Sequence, residues 1–304
     1  MIEKQRYIWL DGELVEWDRA NVHIMTHSLH CGDAVVEGIR CYPTPRGRAL
    51  FRLDAHLRRL FDSAKILGIP MTTTPDAIAR GCRDLVVENQ LAKAYLRPLV
   101  FLGEGSAGVS PAESPTRVAI MAWPWGAYLG EDGQRRGVRA KVSSIVRNPI
   151  QAWMTKAKTT GGYVNSMLAM REANEHGYDE AILLDVQGYV AEGPGENIFI
   201  VRDGRLFTTP TPTVLAGITR DTVLRLAERC GIRAHEQLFT RDELYIADEA
   251  FFTGTAAEIT PIREVDGRTI GTGAPGPVTR RLQEEFDAAV HGRAAHAEPW
   301  LAHI

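Results

Sequence analysis

Lysine is scarce in this chain: six of the 304 residues, although lysine and arginine together number 35. Cysteine is also sparse, and Cys31, Cys41, Cys82 and Cys230 are too far apart for any CxxC pair. That spacing argues against zinc ribbons and redox dithiols and fits the reduced thiols of a cytosol. No apolar run approaches the ~20 residues that span a bilayer. The opening MIEKQRYIWLDGELVEW has early charges and a polar break at Asp11-Gly12, which does not read as a signal peptide. There is no long basic run, and a net charge of −3 with a pI of 6.3 excludes the field expected of a nucleic-acid or membrane-surface binder. Internal repeats and low-complexity tracts are absent. What remains, 44% hydrophobic and 24% charged, is an ordinary soluble composition. The length suits two domains of about 150 residues each. A cytoplasmic, enzyme-sized chain is the expectation.

Asp11-Gly12 between two apolar runs, 7–10 and 13–17, predicts an opening β-hairpin. Residues 34–42 read as a strand, and Arg46-Gly47 turns into another at 49–53. Asp54 is the expected N-cap of a helix to Leu67, with Leu57, Leu60, Phe61, Ala64 and Leu67 on one face and Arg58 in solvent. A second helix spans 77–88, and Ala94–Leu102 and Thr116–Trp123 are nearly continuous apolar strands. Residues 1–124 therefore read as a smaller N-terminal α+β domain. Residues 125–137, WGAYLGEDGQRRG, lack periodicity and suit an interdomain loop, though Trp125 and Tyr128 exceed what a passive linker needs. Residues 138–304 read as a larger C-terminal α/β domain. Its strands are expected at 138–146, 181–185, 189–191, 197–201, 205–208, 233–238, 250–253 and 258–265. Its helices are expected at 217–230, closed by Gly231, and at 277–290.

Four stretches could carry chemistry. Two of the six lysines, Lys156 and Lys158, precede a Thr-Thr-Gly-Gly turn and a helical run from Tyr163. EGPGEN places Glu192 and Glu196 on a bent turn. Ala216-Gly217-Ile218-Thr219 opens a helix, and Thr253-Gly254-Thr255-Ala256-Ala257-Glu258 follows a strand. Free N–H groups at a helix start, with small residues beside them, can hold an anion. Each stretch alone is weak: paired lysines are usually solvated, and small residues at helix starts are usually caps. Neither GxxxxGK[ST] nor GxGxxG is present. His23, His27 and His30 have helix-like spacing, but no carboxylate or cysteine completes a ligand set, so turn or core roles are expected and no metal. A lysine, a carboxylate and a phosphate site are together what pyridoxal phosphate needs.

At this point the sequence resembles the branched-chain amino acid aminotransferases, the fold-type IV group of pyridoxal-phosphate enzymes. YIWLDGELVEW, EGIRCY, HLRRLFDSAKILGIP, AYLRPLVF, PWGAYLG, KTTGGYVNSMLA, EGPGENIF, AGITRD, LYIADE and TGTAAEITPI occur in family order over nearly the whole chain. The resemblance implies a two-domain α+β fold with pyridoxal 5'-phosphate in the cleft between domains. It implies transamination between branched-chain L-amino acids and 2-oxoglutarate, without nucleic-acid or membrane partners.

Carried over by position, Lys158 matches the lysine that binds the cofactor covalently, leaving Lys156 as a solvated neighbour. Glu192 matches the partner of the pyridine nitrogen, Tyr163 the tyrosine near the phenolic oxygen, and Leu215 the residue packed on the ring. Arg59, Gly217, Ile218, Thr219 and Thr255 match the phosphate site. Tyr95, Arg97, Thr255, Ala256 and Ala257 match groups holding the substrate carboxylate, while Arg40, Trp125 and Tyr128 match pocket walls. Val109 matches a loop residue that reaches a partner subunit, which implies a homodimer or a hexamer of dimers.

Cys31 and Val36 stand where the family commonly has aromatics, so the side-chain pocket should be altered. That departure keeps D-amino acid or (R)-amine transamination open as an alternative. Aminodeoxychorismate lyase fits EGIRCY and PWGAYLG less well. A non-catalytic binding protein is disfavoured by an intact Lys158 and Glu192.

Overall fold

In the computed structural model, residues 3–126 and 128–304 are described. Their contacts divide into two compact units: 1–125 with 157–162 and 289–304, and 126–156 with 163–288.

The first unit begins with the expected hairpin, β1 (Tyr7–Leu10) and β2 (Glu13–Glu16), with Asp11 and Gly12 both at positive φ in the turn. A short helix α1 (His27–Cys31) precedes β3 (Val35–Val36), β4 (Ile39–Thr44) and β5 (Gly47–Phe51). Helices α2 (Leu53–Ile66) and α3 (Pro75–Glu88) follow, then β6 (Ala94–Leu102) and β7 (Thr116–Trp123). Among the described residues these strands and the C-terminal strand Leu301–His303 form one sheet. Its order is the C-terminal strand, β5, β4, β6, β7, β1, β2, with β3 also on β6. Leu57, Leu60 and Ala64 of α2 and Ile78, Cys82, Leu85 and Val86 of α3 fill one core with Trp9, Leu96 and Ile120. Burial pushes the Cys82 thiol up to about 12, so it packs as an inert apolar group.

The structure corrects two expectations here. The strand at 34–42 is two strands, because Pro98 sits opposite Glu37 and has no N–H to return. Glu37 N–H donates to Pro98 O at 2.9 Å, and the ladder resumes at Ile39–Leu96. The N-cap of α2 is Arg52, in the left-handed region at φ 54°, and Asp54 lies within the first turn. Trp300 O accepts from Arg52 N at 2.7 Å, which fixes that corner.

The second unit starts within 125–137, where Gly130–Arg136 is helix α4 rather than irregular chain; Ala127 lies outside the described residues. Arg135 and Arg136 pair with Asp132 along its face. Next come β8 (Val138–Val142), shorter than expected, and α5 (Tyr163–Glu175). Strands β9 (Glu180–Leu184), β10 (Val190–Glu192), β11 (Asn197–Arg202) and β12 (Arg205–Thr208) lead to α6 (Ile218–Arg229). The chain then forms β13 (Ala234–Glu236), α7 (Arg241–Tyr245), β14 (Glu249–Gly254), β15 (Glu258–Val265) and α8 (Pro277–Val290). Among the described residues the sheet runs β10-β9-β8-β15-β14-β11-β12-β13. Its core joins Val138, Ile182, Ile198, Phe252 and Ile262. A capping box at Thr240 and Glu243 starts α7. No described helix is long and apolar enough to cross a membrane.

Candidate active site

Lys158 belongs to the first unit, where its backbone is pinned from both sides. Its N–H donates to Ser63 Oγ of α2 at 3.0 Å, and its carbonyl accepts from Val36 N–H of β3 at 2.9 Å. Two and three residues on, the N–H groups of Thr160 and Gly161 donate to the carbonyls of Ala34 and Gly32 at 2.9 and 2.8 Å. Gly32 sits at φ 65°, and a Cβ there would lie 3.0 Å from Gly161 Cα, so the stretch is laid tightly along the end of α1. The lysine thus sits half-buried on a stiff support.

Ser63 lies on the same helix as two other polar groups turned toward this region. Glu37, 1% exposed, accepts from Arg59 Nε at 2.6 Å, Arg59 Nη2 at 2.9 Å and His56 Nδ1 at 2.7 Å. Burial would raise the Glu37 carboxyl, but Arg59 and His56 outweigh it and hold it well below the usual carboxylate range. Burial also holds His56 below the ordinary histidine value, so it serves Glu37 as a neutral donor. Positions 56, 59 and 63 form a polar stripe on a helix whose apolar stripe was legible in the sequence.

A second cluster in this unit gathers Tyr95, Arg97 and the tryptophans. The Tyr95 ring meets Trp125 edge-on at 4.5 Å and Trp123 at 5.2 Å, and the Arg97 guanidinium lies 5.4 Å from Tyr95 and 5.5 Å from Trp123. Arg40 pairs with Tyr95 across β4 and β6. Gly38 makes room, since a Cβ there would fall 2.0 Å from the Tyr95 hydroxyl. Arg97 Nε is buried without a hydrogen-bond partner among the described residues. Val36 is buried, whereas Cys31 is exposed at the end of α1, with Sγ 3.7 Å from His27 Nε2. His27 is a buried core histidine that bonds Asp33 and Gly108 O. Val109, the next residue, is 93% exposed. Arg58 is exposed.

The second unit holds the carboxylate and anion-type turns. Glu192 is buried with both oxygens engaged: Arg147 Nε donates to Oε1 at 2.6 Å, and Asn197 Nδ2 and Leu215 N–H donate to Oε2 at 3.2 and 3.3 Å. Asn197 also donates to Leu215 O at 3.0 Å, and its Oδ1 would lie 1.9 Å from any Cβ on Gly217. One asparagine therefore ties the carboxylate to the residue that opens α6, and only glycine fits there. The first-turn amides of Ile218 and Thr219 have no carbonyl within the helix to receive them. The β14–β15 turn carries Thr255, Ala256 and Ala257, with Gly254 opposite Glu258. Lys156 is exposed, with Nζ 3.2 Å from Val214 O, so it caps a carbonyl as well as meeting solvent. Tyr163, at the start of α5, and Tyr128 both line an open cavity of about 670 Å³ with Met167, Met170 and Pro194.

These residues fit the chemistry of pyridoxal phosphate. A charge-held buried carboxylate suits a protonated ring nitrogen, and the glycine cradle with its helix terminus suits a phosphate. Sequence reasoning missed Glu37, His56, Ser63, Trp123, Arg147 and Asn197. Glu37 and Asn197 lie inside EGIRCY and EGPGEN and were within reach; Arg147 had no signal of its own.

The chain matches the model of the amino-transferase class IV family over residues 34–265. It is 51% identical over 299 residues to a branched-chain-amino-acid aminotransferase of Pseudomonas aeruginosa, covering 98% of this chain and 97% of that one. The corresponding Escherichia coli protein is 48% identical, with 99% of this chain and 98% of that one covered. The crystal structure of an Escherichia coli branched-chain amino acid aminotransferase superposes with a TM-score of 0.96 at 48% identity, covering 98% and 99% of the two chains. One from Thermobaculum terrenum, in its PLP-form, gives a TM-score of 0.93 at 36% identity, covering 99% of this chain and 98% of that one.

Proposed function

The chain belongs to the class IV aminotransferase family, and from that membership we propose that it is a branched-chain amino acid aminotransferase. Its donors are L-leucine, L-isoleucine and L-valine. Its acceptor is 2-oxoglutarate, and its products are a branched-chain 2-oxo acid and L-glutamate. Pyridoxal 5'-phosphate, when bound, supplies an aldehyde carbon for the amino group and a ring that accepts the electron pair of the α-carbon.

Lys158 Nζ is the amine that would hold that carbon, and it would move the substrate α-proton as general base. Its pinned backbone leaves the side chain as the moving part, so the amine returns to one place. Glu192 keeps a proton at the ring nitrogen, with Arg147 and Asn197 holding its oxygens. Leu215 would pack on the ring, and Tyr163 would hydrogen-bond its phenolic oxygen. Arg59, the amides of Ile218 and Thr219 beyond Gly217, and Thr255 bind the phosphate. Arg97 and Tyr95, with the Thr255-Ala256-Ala257 turn, orient the α-carboxylate. Arg40, Trp125, Tyr128, Val36 and Cys31 shape the side-chain pocket. The observation that carries the cofactor roles is the Glu192–Asn197–Gly217 unit, which builds carboxylate and anion cradle as one piece. Exposed Val109 supports a homodimer or a hexamer of dimers, to be read by light scattering. The free thiols support a cytoplasmic location.

The test has two parts. Purified protein should be yellow, and borohydride should fix the cofactor to Lys158; labelling of Lys156 or of nothing would overturn the site. A donor panel of L-leucine, L-valine, L-glutamate, D-alanine and (R)-phenylethylamine then reads specificity. Turnover of the L-donors is expected, and their failure would overturn the substrate assignment in favour of D-amino acid or (R)-amine transfer.

A further inference from the structure

Glu37 is a buried carboxylate that the mechanism above does not use. We propose that it is a positioning residue for the cofactor's phosphate, gripping Arg59 so that the guanidinium presents a fixed edge. This rests on the assignment of Arg59 to phosphate binding. A guanidinium is planar, with five N–H donors in a rigid fork. Glu37 takes its Nε and Nη2 edge through both oxygens, at 2.6 and 2.9 Å, which sets the plane and directs the opposite edge away from Glu37. His56 donates to the same carboxylate at 2.7 Å and stops it from rotating.

A purely structural ion pair could sit anywhere in the core, but this one is built into the support of Lys158. Val36, the neighbour of Glu37, donates to the Lys158 carbonyl, and Ser63, one turn beyond Arg59 on α2, accepts from the Lys158 N–H. The same two elements therefore fix the reactive lysine and the arginine. The location of Glu37 also has a cause. It lies opposite Pro98, where the β-ladder lapses and a side chain between β3 and β4 can turn to the helix.

The test compares pyridoxal phosphate with pyridoxal, which lacks the phosphate, on full-length wild-type and Glu37→Gln protein, both stripped by dialysis and titrated by visible absorbance. Glu37→Gln keeps the shape and removes the charge that orients Arg59. Binding of pyridoxal phosphate should weaken about a hundredfold, as for outer partners of other charged sites, while pyridoxal changes less than about threefold. Equal weakening of both ligands would make Glu37 merely structural and overturn the proposal, as would no weakening. If Glu37→Gln does not fold, Glu37→Asp, which keeps the charge but draws it back from Arg59, is read in the same way. A wild-type protein that binds both ligands equally would overturn the phosphate reading itself. A wild-type preference for pyridoxal phosphate that survives undiminished in the variant would overturn this proposal alone.

Discussion

Glu37 in the first unit and Glu180 in the second are both buried glutamates, at 1% and 0% exposure, and they end in opposite states. Burial pushes each carboxyl up. At Glu37, Arg59 and His56 reverse the push and hold the group ionised. At Glu180 the neighbouring carboxylate of Glu196 adds to burial, Asp179 contributes in the same direction, and the carboxyl rises well above its ordinary value. Among the described residues Glu180 Oε2 has no hydrogen-bond partner, whereas each oxygen of Glu37 has a donor. Burial alone therefore says nothing about charge; the company on adjacent elements decides it. Glu192, with one arginine and two neutral donors, has both oxygens paired, as Glu37 does and Glu180 does not.

The strongest way to break this contrast is to remove the cation. Arg59→Met leaves Glu37 buried with only His56, and should cost about 3–5 kcal/mol in denaturant unfolding. A loss below about 1 kcal/mol would mean that water already reaches Glu37. Next in size is Glu192→Gln, which keeps the packing and removes the charge. It should lower kcat about 10²–10³-fold, roughly 2.7–4 kcal/mol of transition-state stabilisation, with a smaller change in unfolding midpoint. Unchanged kcat would place Glu192 with the structural carboxylates.

Glu180→Gln sharpens the comparison from the other side. A raised folded value means that the folded protein keeps a proton which the unfolded chain releases above pH about 4.5. Stability attributable to Glu180 is thus undiminished below that pH and falls as pH rises toward the folded value. For Glu37, held low, the sign is reversed: its contribution is present above pH about 4.5 and lost in acid. Glu180→Gln should therefore gain about 1 kcal/mol or more at pH 8 and almost nothing at pH 4, read as unfolding midpoints. Equal gains at both pH values would show that titration is not the cause. The smallest effect is expected at Lys156→Ala, an exposed residue with a single bond to Val214 O at 3.2 Å: within about 0.5 kcal/mol of wild-type stability, with the yellow colour retained. A colourless Lys156→Ala protein would exchange the roles of the two lysines.

Much of the fold was legible. Ala94–Leu102, Thr116–Trp123, Arg205–Thr208, Glu258–Val265 and Pro277–Val290 begin and end where apolar periodicity and turn residues placed them. The strand at 34–42 broke because Pro98 is opposite it, and a partner's missing N–H is invisible in the strand's own sequence. Helix α4 was passed over because it presents charges and buries no side chain, leaving no apolar period to detect. At the site, Lys158, Glu192 and the glycine of α6 stood out by residue type and by order along the chain. Arg147 could not, since it lies 45 residues before the carboxylate it holds.

The sequence by itself determined the inventory: few lysines, a carboxylate turn, a glycine-opened helix, and motifs in the order of one family. It did so because composition, turn chemistry and apolar spacing are local properties of the chain. Only the tertiary structure decided how those groups are held. Two lysines separated by one alanine fall into different units, Lys158 pinned between Ser63 and Val36 and Lys156 lying along Val214. Glu37 meets His56 and Arg59 across 19 and 22 residues, and Asn197 meets Leu215 across 18. Partners at such separations are brought together by sheet register and helix packing, and those set the charge, orientation and rigidity of each group.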